Sequence, residues 1–358
     1  MNPETFLEWL KKENLYRKAL NAKPYLKRVF HESLAVKDEQ ILIITDKGSK
    51  NRKIAPIIGA GYYLAAQDLN LNTQLVVQGI KTSGEPADSA VEHALTTLEK
   101  LNIVIMPVSN KLGEIEDVGK SFRKFMRKRR HRFITAPSLG AVETRKLRYI
   151  VNAIDIDYAQ LHQEQMPVKN IFDQAHELHI TSPAGCDFTI ALNGITSISN
   201  DGMYRAPQSG GNLPTGEVYL PPAPDGVNGK IVIDLSSRNM NGTTLLKKPI
   251  TMEVEKSTVV SLNGGRGAKL LEKSLSLAEE RAKYPERVRK IAEFGVGFNP
   301  NAKIVGAMIV DEKVKGTAHI ALGSNYWFGG DIKTIVHYDQ VFNKPTVFVD
   351  GKELLLKE

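Results

Sequence analysis

Residues 40–48 read Gln-Ile-Leu-Ile-Ile-Thr-Asp-Lys-Gly. An apolar run rich in β-branched residues, closed by an Asp-Lys-Gly turn, predicts a buried strand. The pattern after it changes period. Residues 54–67 read as a helix, 73–78 as a strand, 89–101 as a helix and 102–108 as a strand. Residues 114–130 then read as a helix with a basic face, and 132–136 as a short strand. Strands alternating with helical segments predict a parallel sheet with helices on its faces. The expectation for residues 1–175 is therefore an α/β domain.

The second half changes character. Residues 183–229 are rich in Gly, Pro, Asn and Asp. Short strand patterns fall at 177–181, 187–192, 230–235 and 250–262. An amphipathic pattern over 268–294 predicts one long helix, broken near Pro285. Strand-like runs follow at 303–310, 318–322, 334–338 and 346–349, and Asp350-Gly351 reads as a hairpin turn. Residues 176–358 are expected to form an α+β domain with a mostly antiparallel sheet.

Composition narrows the function class. Of the 358 residues, 42% are hydrophobic and 25% charged, which excludes a disordered or fibrous chain. The single cysteine, Cys186, rules out an intramolecular disulfide framework and a cysteine-only zinc site. That usage, with a charged N-terminus lacking a signal-peptide core, gives a cytoplasmic expectation. No run of about 18 apolar residues exists, so no membrane partner is expected. The net charge is +8. The densest basic stretch, Arg123 to Arg132, is interleaved with Phe125 and Met126 and reads as a solvated helix face. No nucleic-acid recognition motif accompanies it.

Several motifs fail on spacing. Gly113 to Ser121 misses the phosphate loop by one residue. Gly59-Ala60-Gly61 lies inside a helix pattern and has Leu64 where a dinucleotide fingerprint needs a third glycine, so close helix packing is its expected role. His176 and His179 are three apart, one short of the helical zinc pair, and are expected at the surface.

Four segments carry chemistry. His337 and Asp339 are two apart on a strand pattern, so both can address one ion. His319 lies in Gly316-Thr-Ala-His-Ile-Ala-Leu-Gly-Ser-Asn325. Glu293 precedes Phe-Gly-Val-Gly, at the predicted end of the long helix. Glu217 closes Gly-Asn-Leu-Pro-Thr-Gly-Glu. Two Glu, two His and one Asp suit a pair of divalent metals such as Zn, Co or Mn. Such a pair can share and activate a water.

These four segments, in order along the chain, resemble those of the thermophilic-type metallo-aminopeptidases, the group of aminopeptidase T and aminopeptidase S. The resemblance covers residues 176–358; the first domain matches mainly in layout. It implies a homodimer that hydrolyses the N-terminal residue of a peptide or small amide. Glu217, Glu293, His319, His337 and Asp339 would be the metal ligands, with Glu217 or Glu293 also a candidate base. Tyr326, seven residues after His319, falls where that family has an active-site tyrosine, or it lines the cavity beside Trp327 and Phe328. Asp311, Glu312 and Lys313 would either orient ligands or form a solvated turn. A related scaffold serves the 2,5-dihydroxypyridine dioxygenases, with one non-haem Fe(II) held by two His and one carboxylate. His319, His337 and Asp339 would satisfy that triad, while the two glutamates favour the two-metal peptidase. The remaining alternative is a non-catalytic protein that binds an acidic partner through the basic helix.

Overall fold

The computed structural model describes residues 1–82, 84–116, 122–192 and 194–356. It divides into two compact units, one of residues 1–159 and 202–215, the other of 160–201 and 216–358.

The first unit carries a parallel five-stranded sheet. Its order is Thr73–Gln78, Ile41–Asp46, Ile103–Pro107, Arg132–Ala136 and Gly210–Asn212. The Ile41–Asp46 strand is buried at every position, as its unbroken apolar run requires. Helix Ile54–Asp68 packs tightly on it. A Cβ at Gly59 would lie 2.7 Å from the Thr45 side chain, and one at Gly61 would lie 2.5 Å from Leu26. The glycine pair therefore serves close packing.

The basic helix is shorter than its pattern suggests. It spans Phe122–Lys128, while Glu114 bridges to Pro86 in extended chain. The Gly-Lys-Ser end of the failed phosphate loop lies outside the described residues. Phe125 and Met126 enter the core, and Lys124, Arg127 and Lys128 are exposed, as on a solvated face.

The second unit holds two seven-stranded sheets whose ladders are all antiparallel. Phe188 of one sheet meets Phe294 and Phe342 of the other at 6.3 and 6.2 Å between ring centres, and these rings form the core between them. The architecture is the expected one: an α/β unit with a parallel sheet and a unit with antiparallel sheets.

Four local expectations fail. The strand expected at 334–338 runs instead over His337–Asn343. The predicted long helix ends early, at Arg266–Glu279, and Ile291–Gly297 is a strand. That strand is buried at all seven positions, and a short run buried on both faces has no periodicity to separate it from a helix. The 250–262 run is a hairpin, Ile250–Glu255 with Thr258–Gly264, turning at Lys256-Ser257. Both turn residues have positive φ, 47° and 59°, without the Asn-Gly signal that announces such turns. Residues 303–310 form no strand and lead into the short helix Met308–Asp311.

Candidate metal centre

Four adjacent strands build the site: Glu217–Leu220, Ile291–Gly297, Thr317–Gly323 and His337–Asn343. Their register decides which side chains meet. Glu217 is opposite Gly297, and Gly295 is opposite both Tyr219 and His319. Ala321 is opposite both Glu293 and Asp339, and Gly323 is opposite His337. Directly opposed residues share a face of the sheet. Glu217, Glu293, His319, His337 and Asp339 therefore project to one side, separated by Gly and Ala. The alternate residues, among them Val218, Phe294, Val296, Ile320 and Phe342, are buried hydrophobics.

The small residues between the ligands are a steric requirement. A Cβ at Gly295 would stand 2.3 Å from His319 Cε1 and 2.4 Å from its Nε2. Only glycine leaves room for that imidazole.

The five side chains form two groups that share Glu293, each of which could hold a metal ion. One is Glu217, Glu293 and His319; the other is Glu293, His337 and Asp339. His319 Nε2 is 3.1 Å from Glu293 Oε1 and 3.7 Å from Glu217 Oε2. His337 Nε2 is 3.5 Å from Glu293 Oε2 and 3.0 Å from Asp339 Oδ1. His319, His337 and Asp339 do not form a group by themselves, because Glu293 stands between the histidines. Tyr326 belongs to neither group. It sits on the turn Tyr326–Phe328, half exposed, with the Lys333 ammonium 5.4 Å from its ring centre.

Glu312 and Lys313 are not a solvated turn. Lys313 is buried, and its Nζ contacts Glu217 Oε1 and Glu312 Oε1 at 2.5 Å each. Asn200 Nδ2 also donates to Glu217 Oε1, at 3.1 Å. Glu217 is thus engaged through one oxygen and faces His319 with the other. Gln165 pins the Glu217 backbone, its amide oriented to donate to the carbonyl at 3.0 Å and accept from the N–H at 3.1 Å. Asp311 is structural. Its oxygens accept from Val305 N and Gly306 N at 2.8 and 2.9 Å, closing the loop that delivers Glu312 and Lys313. Asn200 and Gln165 carry no sequence signal, since nothing in a chain's spacing shows that a distant polar residue will reach a ligand.

Charge is concentrated here. Four carboxylates crowd one buried ammonium and two imidazoles. Burial pushes Glu312 up to about 8, with Asp339 and Glu217 adding to the rise and Lys313 opposing it. Burial works against the imidazolium of His337, yet Asp339 and Glu293 overcome it and hold that ring's pKa at about 10. Burial would raise Asp339, but His337 holds it at about 2. His337 Nδ1 donates to Ser324 O at 2.8 Å, so Nε2 is the nitrogen aimed at the carboxylates. A carbonyl that fixes the tautomer while the free nitrogen faces carboxylates is the arrangement of a metal-bound histidine. A cation among these carboxylates would replace the proton that His337 otherwise holds. The donor set therefore fits a metal ion, and the buried cluster supports metal binding.

A family model for 2,5-dihydroxypyridine 5,6-dioxygenase matches residues 157–357, which include every ligand above. The chain belongs to that family. The 2,5-dihydroxypyridine 5,6-dioxygenase of Pseudomonas putida KT2440 is 25% identical over 200 residues, a match covering 53% of this chain and 56% of that enzyme. The chain thus aligns with just over half the length of that relative. The solved structure of 2,5-dihydroxypyridine dioxygenase from Pseudomonas putida KT2440 superposes with a TM-score of 0.74 at 18% identity, covering 94% of this chain and 96% of that one. Wild-type AmpT from Thermus thermophilus superposes with a TM-score of 0.64 at 15% identity, covering 93% and 96%. The aminopeptidase resemblance accordingly holds for the scaffold. Its activity does not carry over: the family match and the relative overturn the reading as a peptidase and hydrolase and favour the ring-cleaving alternative. The carboxylate and histidine motifs mark where a metal could sit rather than what it acts on, and that is where the peptidase reading went wrong. An enzyme remains the supported class. No helix among the described residues is long and apolar enough to cross a membrane.

Proposed function

We propose that this chain is a non-haem Fe(II) dioxygenase that opens a dihydroxylated nitrogen-containing ring of the 2,5-dihydroxypyridine type. The carrying observation is the family match over residues 157–357, which takes in the whole carboxylate and histidine cluster. Glu293, His337 and Asp339 would hold the ion, because His337 is the most exposed ligand and marks the end of the cluster that a substrate can reach. A ferrous ion bound there would supply the one-electron chemistry that lets dioxygen react with a closed-shell ring.

The remaining roles belong to side chains. Glu217 and His319 form the inner wall, and Lys313 neutralises Glu217 so that this wall does not carry a bare buried charge. Glu312, held up to about 8, is a carboxyl able to take or return a proton near neutral pH. Phe328 closes the side beside Tyr219 and His337, at 5.3 and 6.2 Å between ring centres, and excludes water.

The test is oxygen uptake. Protein purified without oxygen and loaded with Fe(II) should consume one dioxygen per 2,5-dihydroxypyridine lost. Iron-loaded protein that takes up no oxygen with that ring would overturn the proposal.

A further inference from the structure

Trp327 has no part in holding the ligands. It lies on the turn Tyr326–Phe328, 45% exposed, with its ring centre 4.9 Å from that of His337. The indole meets His337 at 66° and Phe328 at 71°, 5.5 Å between ring centres, edge-to-face rather than stacked in both cases, and its 45% exposure leaves part of it open to another ring. Among the ligands His337 is the most exposed, its side chain 22% accessible against 11% or less for Asp339, Glu293, Glu217 and His319. The open end of the cluster is therefore the end beside Trp327.

The turn that carries the indole is braced. Asn325 O accepts from Phe328 N and Gly330 N, both at 3.2 Å. Asn325 Oδ1 accepts from Ile332 N at 2.8 Å, and its Nδ2 donates to Ala292 O at 3.0 Å. Ala292 immediately precedes Glu293, so the turn is tied to the strand that carries the shared ligand. A Cβ at Gly330 would come within 2.1 Å of the Asn325 side chain, so only glycine closes the turn this way. A large aromatic side chain, half in water on a braced turn beside a candidate metal ligand, is poor core material and good recognition surface.

We infer that Trp327 is the platform on which the flat ring of the substrate stacks on its way to the ion. This rests on the ring-cleaving reading above and names a substrate-binding residue for it. Stacking a ring on an aromatic side chain is worth roughly tenfold or more in affinity.

Fe(II)-loaded wild type, W327F and W327A would be compared for KM and kcat with 2,5-dihydroxypyridine, with bound iron measured in each. W327A should raise KM about tenfold, keep kcat within about threefold and keep its iron, and W327F should lie close to wild type. Besides Trp327, the chain has one tryptophan, Trp9. In metal-free W9F, the indole emission, corrected for absorption, should therefore be quenched saturably by the same ring. W327A with wild-type KM overturns the platform while wild-type turnover keeps the ring-cleaving reading. Loss of iron in W327A also overturns it, reducing Trp327 to a packing partner of His337. A wild type that neither turns over nor binds the ring overturns both.

Discussion

Replacing Lys313 by Met keeps most of the side-chain volume and removes a buried charge. The ammonium is 1% exposed and contacts two carboxylates that are 6% and 13% exposed. At an effective dielectric of about 20, the 2.5 Å contact with Glu217 is worth about 7 kcal/mol before desolvation. Glu312, held up to about 8, is mostly protonated near neutral pH and adds a hydrogen bond rather than a second full charge. Removing the Lys313 and Glu217 charges from water offsets most of that attraction. What the variant loses is compensation for the Glu217 carboxylate left behind, a cost of about 3–5 kcal/mol. The assay is urea unfolding of W9F protein, in which Trp327 reports on the second unit. In chelator, K313M should fall about 3–5 kcal/mol below its parent, K313R should recover most of the loss, and K128M, at an exposed position, should stay within about 0.5 kcal/mol. Excess Mn(II) should narrow the gap, because a dication bound among the neighbouring carboxylates offsets the missing charge. A loss under about 1 kcal/mol in chelator would refute the view that Lys313 is the counter-charge of the cluster.

Three further outcomes follow from the geometry. Glu293 is the carboxylate both ligand groups share, so E293Q should weaken Mn(II) or Fe(II) binding at least about 100-fold in chelator competition, more than D339N does; equal effects would mean that Glu293 is not shared. G295A should displace the His319 ring, costing about 1–3 kcal/mol and most of the metal affinity; metal binding unchanged from wild type would refute the packing argument. In the first unit, burial holds His131 down at about 4, and Asn102 N donates to its Nδ1. The unfolded chain takes up that proton first, so the stability is complete above about pH 6.5 and is lost as pH falls toward 4, by about 3 kcal/mol in all. An H131Q variant should flatten that slope in pH-dependent denaturation, and an unchanged slope would assign it to other groups.

The sequence declares elements whose two environments differ and hides those whose environments are alike. The Ile41–Asp46 and Thr73–Gln78 strands are legible because helices with their own period separate them. Ile291–Gly297 is buried throughout, so its alanine, glycines and phenylalanine fit a helix as well as a strand, and Glu293 is first placed on the wrong element. Glu293 stays in the candidate set because the resemblance of its Glu-Phe-Gly-Val-Gly segment to the aminopeptidase one does not depend on the backbone, and the structure places it beside His319 and His337. Lys313 shows the opposite case. Asp-Glu-Lys after an apolar stretch has the composition of a surface turn, and only the closing of the 305–311 loop by Asp311 turns the next two residues inward. Substrate choice lies deeper still. Two histidines, two glutamates and an aspartate describe a place for a cation, and that description is the same for a peptide bond and for a hydroxylated ring. What would separate the two is the surface beside the open ligand. There the chain places an indole on a turn braced by Asn325 and Gly330, a feature that belongs to the turn and to none of the ligand motifs.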